Sequence, residues 1–309
     1  KKIEDIKIVC SGAGAAAISC LDLIVSLGAK KDNIFVADSK GVISTSRDNL
    51  DESKLRYARE TTSRTLADVI TDADMFLGLS AAGMLTQDMV KLMAKDPIVF
   101  ALANPNPEIL PELAKAVRPD VIIATGRSDY PNQVNNALCF PYIFRGALDV
   151  GATTVNEEMK IACVKAIAAM AHVEATPLSG QKEVDETKRF GRDYLIPGPL
   201  EPNLIIEIAP AVAQAAMDSG VATLPIENMR AYKQKLSEFV YNSAFLMKPL
   251  FSKAQQDPRS IVYCEGEDEN VLRAVQVVVD EGLAKPILMG RPPIIESQIK
   301  RLGLRMVAG

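Results

Sequence analysis

Residues Ile6-Lys-Ile-Val-Cys10-Ser-Gly12-Ala-Gly14-Ala-Ala-Ala17 decide the fold. An apolar strand runs directly into Gly-x-Gly-x-x-Ala and on into an apolar helical run ending at Leu27-Gly28. Gly12 permits the tight turn, Gly14 lets the backbone approach a pyrophosphate, and Ala17 keeps the helix close to the sheet. The helix N-terminus turns its N–H groups toward the phosphate charge. A glycine pattern alone is weak evidence. Here a second strand, Asn33-Ile-Phe-Val-Ala-Asp38, follows the helix and ends in an acid. The expected ligand is a dinucleotide, with Ser11, Gly12, Ala13, Gly14 and Ala15 forming its turn.

Asp38 stands where an acid usually binds the adenosine ribose 2′-hydroxyl. Ser39 and Lys40 follow at once, and a hydroxyl with an ammonium can instead hold a 2′-phosphate. The acid favours NAD and the Ser-Lys pair favours NADP, so both cofactors stay open. A solvated turn is the competing reading of Lys40.

Beyond the turn, strands and helices alternate, which predicts an α/β fold with a doubly wound, Rossmann-type parallel sheet. A charged helical stretch covers Asp51 to Ala58, and Leu66 to Ile70 has helical spacing. Met75 to Leu79 reads as a buried strand, followed by Ser80-Ala-Ala-Gly83. Thr86 is a fitting N-cap for a helix over Gln87 to Ala94. Pro97 to Ala103 and Val121 to Thr125 are further strands, stopped by Asn104-Pro-Asn106-Pro107 and by Gly126. Asp72-Ala-Asp74 precedes a strand at its amino end and reads as a helix-to-strand turn. From Asn135 the pattern becomes helical, with helices over Asn156 to Ala171, Ile205 to Ser219 and Tyr232 to Phe251. Gly180 to Arg192 reads as an exposed loop, and Tyr194 to Pro199 as an extended connector. A new β-α-β unit starts at Ile261. The expected domains are residues 1–223, a helical linker over 224–257, and the start of a second α/β domain over 258–309.

With 309 residues, the chain is long enough for two domains. A net charge of -4 gives no sign of a nucleic-acid surface. No apolar stretch has the length of a membrane span. Lys1-Lys2 is followed at once by Glu4-Asp5, unlike a signal peptide. Both ends read as cuts in something longer. The five cysteines (Cys10, Cys20, Cys139, Cys163 and Cys264) sit singly and form no C-x-x-C pair. They point to neither a zinc site nor a disulfide framework, and so to a reducing cytoplasm. The single histidine, His172, reads as a helix-face residue.

Two asparagine clusters stand at strand ends, Asn104-Pro-Asn106 and Asn132-Gln-Val-Asn135-Asn136. A neutral amide can orient a carboxylate or a carboxamide without repelling it, although Asn-Pro is also ordinary turn chemistry. No convincing general base and no well-placed acidic cluster is found.

Ser11 to Ala17 with Ala37 to Ile43 resembles the cofactor domain of malic enzymes. Gly78-Leu-Ser80-Ala-Ala-Gly83-Met-Leu-Thr86, Phe100-Ala-Leu-Ala-Asn104-Pro-Asn-Pro-Glu108 and Gly126 to Pro141 strengthen the resemblance. Tyr194 to Thr223 resembles the close of the bacterial form, and Ile261 to Arg291 is similar to the start of a phosphate acetyltransferase. The two together form the architecture of the bacterial hybrid. The resemblance implies oxidative decarboxylation of malate to pyruvate and carbon dioxide, with NADP or NAD and Mg²⁺ or Mn²⁺. It implies that the Gly12 turn, Asp38, Ser39, Lys40, Ser80 and Asn104 hold the cofactor, and that Asn104 and Asn136 face nicotinamide and malate. The family's catalytic tyrosine, lysine and metal carboxylates precede this domain and match nothing in the chain. The piece alone should therefore bind cofactor without turnover. A homo-oligomer and an acetyl-CoA effector site near the C-terminus are further implications. A non-catalytic nucleotide-binding regulatory module, or another dehydrogenase of the same fold, would share the glycine turn. The paired asparagines favour malic enzymes over the latter.

Overall fold

The computed structural model describes residues 1–48, 50–172, 189–280, 282–302 and 304–306. The chain forms two compact units, the first running to Lys233 and the second holding Gln234–Gly309.

Six strands form the main sheet of the described residues: β1 (Ile8–Ser11), β2 (Ile34–Asp38), β3 (Gly41–Val42), β4 (Met75–Gly78), β5 (Ile98–Ala101) and β6 (Ile122–Thr125). Their order is β3-β2-β1-β4-β5-β6. The strands pair in parallel except β3, which returns antiparallel to β2. The Ser39-Lys40-Gly41 loop is thus the tip of a hairpin rather than a plain connection. Gly41 turns it with a φ of 100°, at a point where a Cβ would stand 2.1 Å from the Arg64 carbonyl oxygen. β1 and β4 are buried at every position. That is why they read as continuous apolar runs, as strands covered on both faces do.

The first unit's helices are α1 (Ala15–Ser26), α2 (Glu52–Leu55), α3 (Leu66–Ile70), α4 (Gln87–Leu92), α5 (Pro111–Val117), α6 (Phe140–Asp149), α7 (Glu157–His172) and α8 (Leu204–Asp218). Local chemistry sets their starts. The Thr65 and Asp68 side chains form a reciprocal capping box on α3. Thr86 accepts from the Met89 amide on α4, as its sequence position suggested. Pro111 opens α5, which the periodicity did not announce. The charged stretch from Asp51 yields only the single turn of α2, capped by the Asp51 carboxylate. α1 packs Ala17, Ile18 and Leu21 against Ile8, Cys10 and Ile34. The other face of the sheet buries Val9, Phe76 and Val99 with α3, α4 and α5 residues.

α9 (Met229–Gln256) is longer than the expected helix at both ends. Beyond it, β7 (Arg259–Tyr263) and β8 (Ala284–Leu288) pair in parallel around α10 (Glu269–Asp280), with α11 (Pro292–Arg301) following. This is the β-α-β unit expected from Ile261. The expected loop at Gly180 to Arg192 lies, as far as residue 188, outside the described residues. No helix among the described residues is long and apolar enough to cross a membrane.

Candidate site at the carboxyl edge of the sheet

The strand register places the candidate residues. Ala37, Ser11, Gly78, Ala101 and Thr125 pair in succession across β2, β1, β4, β5 and β6. The row closes each strand at or one residue before its end. Asp38, the Gly12 turn, Ser80, Asn104 and the Gly126 loop therefore all leave the sheet along one edge. The sheet order reverses at β1, and ligands of open α/β sheets bind outside the carboxyl ends at that crevice.

Gly12 has a φ of 111°, and its amide donates to the Ala37 carbonyl at 2.8 Å. A Cβ there would stand 2.2 Å from the Leu79 carbonyl oxygen. Gly14 differs. Its backbone is extended, at φ -80° and ψ -179°, and a Cβ would find no atom within 4 Å. It is the N-cap of α1, with no side chain capping the exposed first turn. The two glycines thus have separate tasks. Gly12 lets the chain pass beneath Leu79, whereas Gly14 keeps the space over a helix N-terminus clear. Ala13 is buried and Ala15 is exposed at the helix start. An open, uncapped N-terminus fits a phosphate group. The Cys10 thiol, which meets the Gly12 carbonyl, is pushed up to about 12, by burial first.

On the β2 side, Arg47 places Nη1 2.9 Å and Nη2 3.0 Å from the two Asp38 carboxylate oxygens. The Lys40 amide donates to Asp38 Oδ1 at 2.9 Å, and Lys54 Nζ lies 3.9 Å from Oδ2. Burial raises the Asp38 carboxyl, but the Arg47 and Lys40 hydrogen bonds and the neighbouring cations outweigh it, leaving the group below the usual carboxylate range. Ser39 and Lys40 are exposed at the hairpin tip. Sequence reasoning missed Arg47, because it lies nine residues beyond the acid and only the hairpin returns it.

Across β1, Ser80 Oγ lies 2.8 Å from Ser11 Oγ. The Ser80 amide and hydroxyl both donate to Glu108 Oε1, at 2.9 and 3.1 Å. The Ala103 amide donates to Glu108 Oε2 at 3.0 Å. Glu108 is fully buried, and Gly78 leaves room for it, since a Cβ there would lie 2.4 Å from its carboxyl carbon. Glu108 is the second residue without an assigned role in the sequence reading. An acid set between Pro107 and Ile109-Leu110 was the available signal.

The asparagines separate by role. Asn132 is buried and has a φ of 56°. Its amide donates to the Ile123 and Arg192 carbonyls, and its oxygen accepts from Leu195. Asn135 accepts from the Ala137 amide. Both are structural. Asn104 and Asn136 are exposed, and neither side chain is hydrogen-bonded among the described residues.

Cys139 and Cys163, single in sequence and both free, meet in space. Their Sγ atoms lie 3.4 Å apart, with Cys163 donating, and this bond and burial raise the Cys163 thiol. His172 is the last described residue of α7, and its ring lies tilted by 34° against Phe190, ring centres 3.8 Å apart. Among the described residues, no group of three or more His, Cys, Asp or Glu gathers as a metal site.

The family described as "Malic enzyme, NAD binding domain" matches residues 1–180. "Phosphate acetyl/butaryl transferase" matches residues 245–308. The NADP-dependent malic enzyme of Haemophilus influenzae is 59% identical over 100% of this chain and 41% of its own length. The NAD-dependent malic enzyme of Rhizobium meliloti is 56% identical over 99% of this chain and 40% of its own. The solved structure of the malic enzyme from Pyrococcus horikoshii is 33% identical, with a TM-score of 0.68 over 82% of this chain and 57% of that one. The chain thus spans about two fifths of the length of these two curated relatives.

Proposed function

The chain belongs to the malic enzyme family, and from that footing we propose that it is the cofactor-binding part of an enzyme converting malate to pyruvate and carbon dioxide with NADP or NAD. The observation that carries this reading is the single row of strand ends, with an unobstructed helix N-terminus at its point of reversal. Ser11 to Ala15 hold the pyrophosphate. Asp38, Ser39 and Lys40, joined by Arg47 and Lys54, meet the adenosine ribose. Ser80 lines the crevice, and Asn104 and Asn136 orient nicotinamide and malate. When bound, the cofactor supplies the hydride acceptor. The protein works in a reducing cytoplasm, consistent with five free cysteines, as a homo-oligomer. Its 245–308 segment begins a domain that takes acetyl-CoA as effector.

The full-length protein, given malate, Mg²⁺ and either cofactor, is expected to form one pyruvate per reduced nicotinamide, at a rate that responds to acetyl-CoA. Cofactor binding without reduction of either nucleotide would leave a non-catalytic nucleotide-binding module. Indifference to acetyl-CoA would remove the effector site alone.

Arg47 carries the cofactor preference in this reading. With NADP bound, its guanidinium serves the 2′-phosphate through charge-assisted bonds. Arg47→Ala should lower the NADP-to-NAD ratio of catalytic efficiency by about tenfold or more, the worth of one or two hydrogen bonds to a charged group. The released Asp38 then suits a ribose hydroxyl. Lys40→Ala is the comparison, since Lys40 bonds Asp38 through its backbone amide, which survives the change. An unchanged ratio in Arg47→Ala would return the preference to Lys40 or Lys54.

A further inference from the structure

We infer that Glu108 is a positioning residue for hydride transfer, its buried carboxylate holding the Gly12 turn and Asn104 in register with one another. The inference rests on the proposed function above, and three observations carry it.

First, every hydrogen bond at the carboxylate is one it accepts. Oε1 takes the Ser80 amide and hydroxyl, and Oε2 takes the Ala103 amide. Second, the direction of the next bond follows. The single Ser80 hydroxyl proton goes to Glu108, so Ser80 Oγ accepts from Ser11 Oγ–H across their 2.8 Å contact. One side chain therefore reaches the ends of three strands: β1 through Ser11, β4 through Ser80, and β5 through Ala103, which precedes Asn104. Third, the strand beneath is cut to receive it. Gly78 is buried in β4, and any Cβ there would meet Glu108 at 2.4 to 2.7 Å. Nothing in the fold of β4 otherwise demands glycine, whose φ is not positive there.

The chemistry distinguishes a carboxylate from its isostere. Glutamine has one acceptor oxygen where two are needed, and its NH₂ would face a donor. Its better orientation keeps the oxygen on Ser80, which offers two donors, and turns NH₂ toward the Ala103 amide. The damage in E108Q then falls beside Asn104 rather than at the pyrophosphate turn. Positioning errors of this kind act on the reacting geometry more than on binding.

The test is a double-mutant cycle in the full-length protein. E108Q is expected to lower kcat with malate by roughly ten- to a hundredfold, with NADP affinity, read by binding titration, changed by less than about threefold. If Glu108 acts through Asn104, E108Q/N104A is no slower than N104A. Multiplying effects would overturn the inference, as would an E108Q variant with normal kcat. Should E108Q fail to fold, S11A and S80A break the same link while leaving the Glu108 side chain and its two backbone donors in place. Their double variant should weaken NADP binding no more than the worse single, and additive losses would overturn the connection. A wild-type protein that binds cofactor but never oxidises malate would instead overturn the proposed function, a result this cycle cannot mimic.

Discussion

Alanine at Asn104 or at Asn136 is expected to lower the catalytic efficiency of the full-length protein with malate by roughly ten- to a thousandfold, or about 1.4 to 4 kcal/mol of lost positioning. The fold should not register either change. Both side chains are exposed and carry no hydrogen bond among the described residues, so truncation leaves no buried group unpaired. Asn132 is the internal control. Its amide joins three backbone groups from within the core, so Asn132→Ala should lower the unfolding midpoint. Malate kinetics and thermal unfolding on the three variants separate the roles. Near-normal kinetics in Asn104→Ala or Asn136→Ala would return that residue to turn chemistry.

The glycine turn yields a second contrast. Gly14→Val should weaken nicotinamide-cofactor binding at least tenfold, about 1.4 kcal/mol, while the circular dichroism spectrum stays normal. A Cβ there meets no atom within 4 Å and the backbone conformation is an ordinary one, so the main loss is expected at the ligand. Gly12→Ala should instead damage the protein itself. Its Cβ would sit 2.2 Å from the Leu79 carbonyl oxygen at a φ of 111°. Left-handed strain alone costs about 1 to 2 kcal/mol, and the clash forces β1 away from β4 besides. Cofactor titration and chemical unfolding of both variants check the pair. Unchanged affinity in a folded Gly14→Val would place the pyrophosphate elsewhere, and wild-type stability in Gly12→Ala would contradict the close passage under Leu79.

The parts legible in sequence are those fixed by near neighbours. The strand-turn-helix at Gly12, the Thr86 cap, and the β-α-β unit after Ile261 each follow from a few consecutive residues. The family resemblance, drawn from residues spread across the first half of the chain, is likewise met by the match over 1–180. The features that stayed hidden depend on where the chain returns. β3 is two residues long, too short for any periodicity. Arg47 meets Asp38 only because that hairpin folds back. Glu108 has no role in the sequence reading, because Gly78 and the Ser80 and Ala103 amides that enclose it are brought together only by the fold. Cys139 and Cys163 are 24 residues apart in sequence and in contact through their sulfurs.

The hairpin at the sheet's edge also bears on how such a protein changes over time. Residues 39–48 leave the last parallel strand and double back beside it, so no other strand is threaded between them. Substitutions at the hairpin's exposed positions, such as Ser39 and Lys40, alter charge around Asp38 without touching β1, β4 and β5, whereas Val42, Ile43 and Ser44 are themselves buried. Under the proposed roles, nucleotide choice and hydride-transfer geometry therefore rest on separate parts of the chain. On that proposal, one cofactor is exchanged for the other by changes at Arg47 and the exposed tip of the hairpin, while the residues proposed to orient nicotinamide and malate stay as they are.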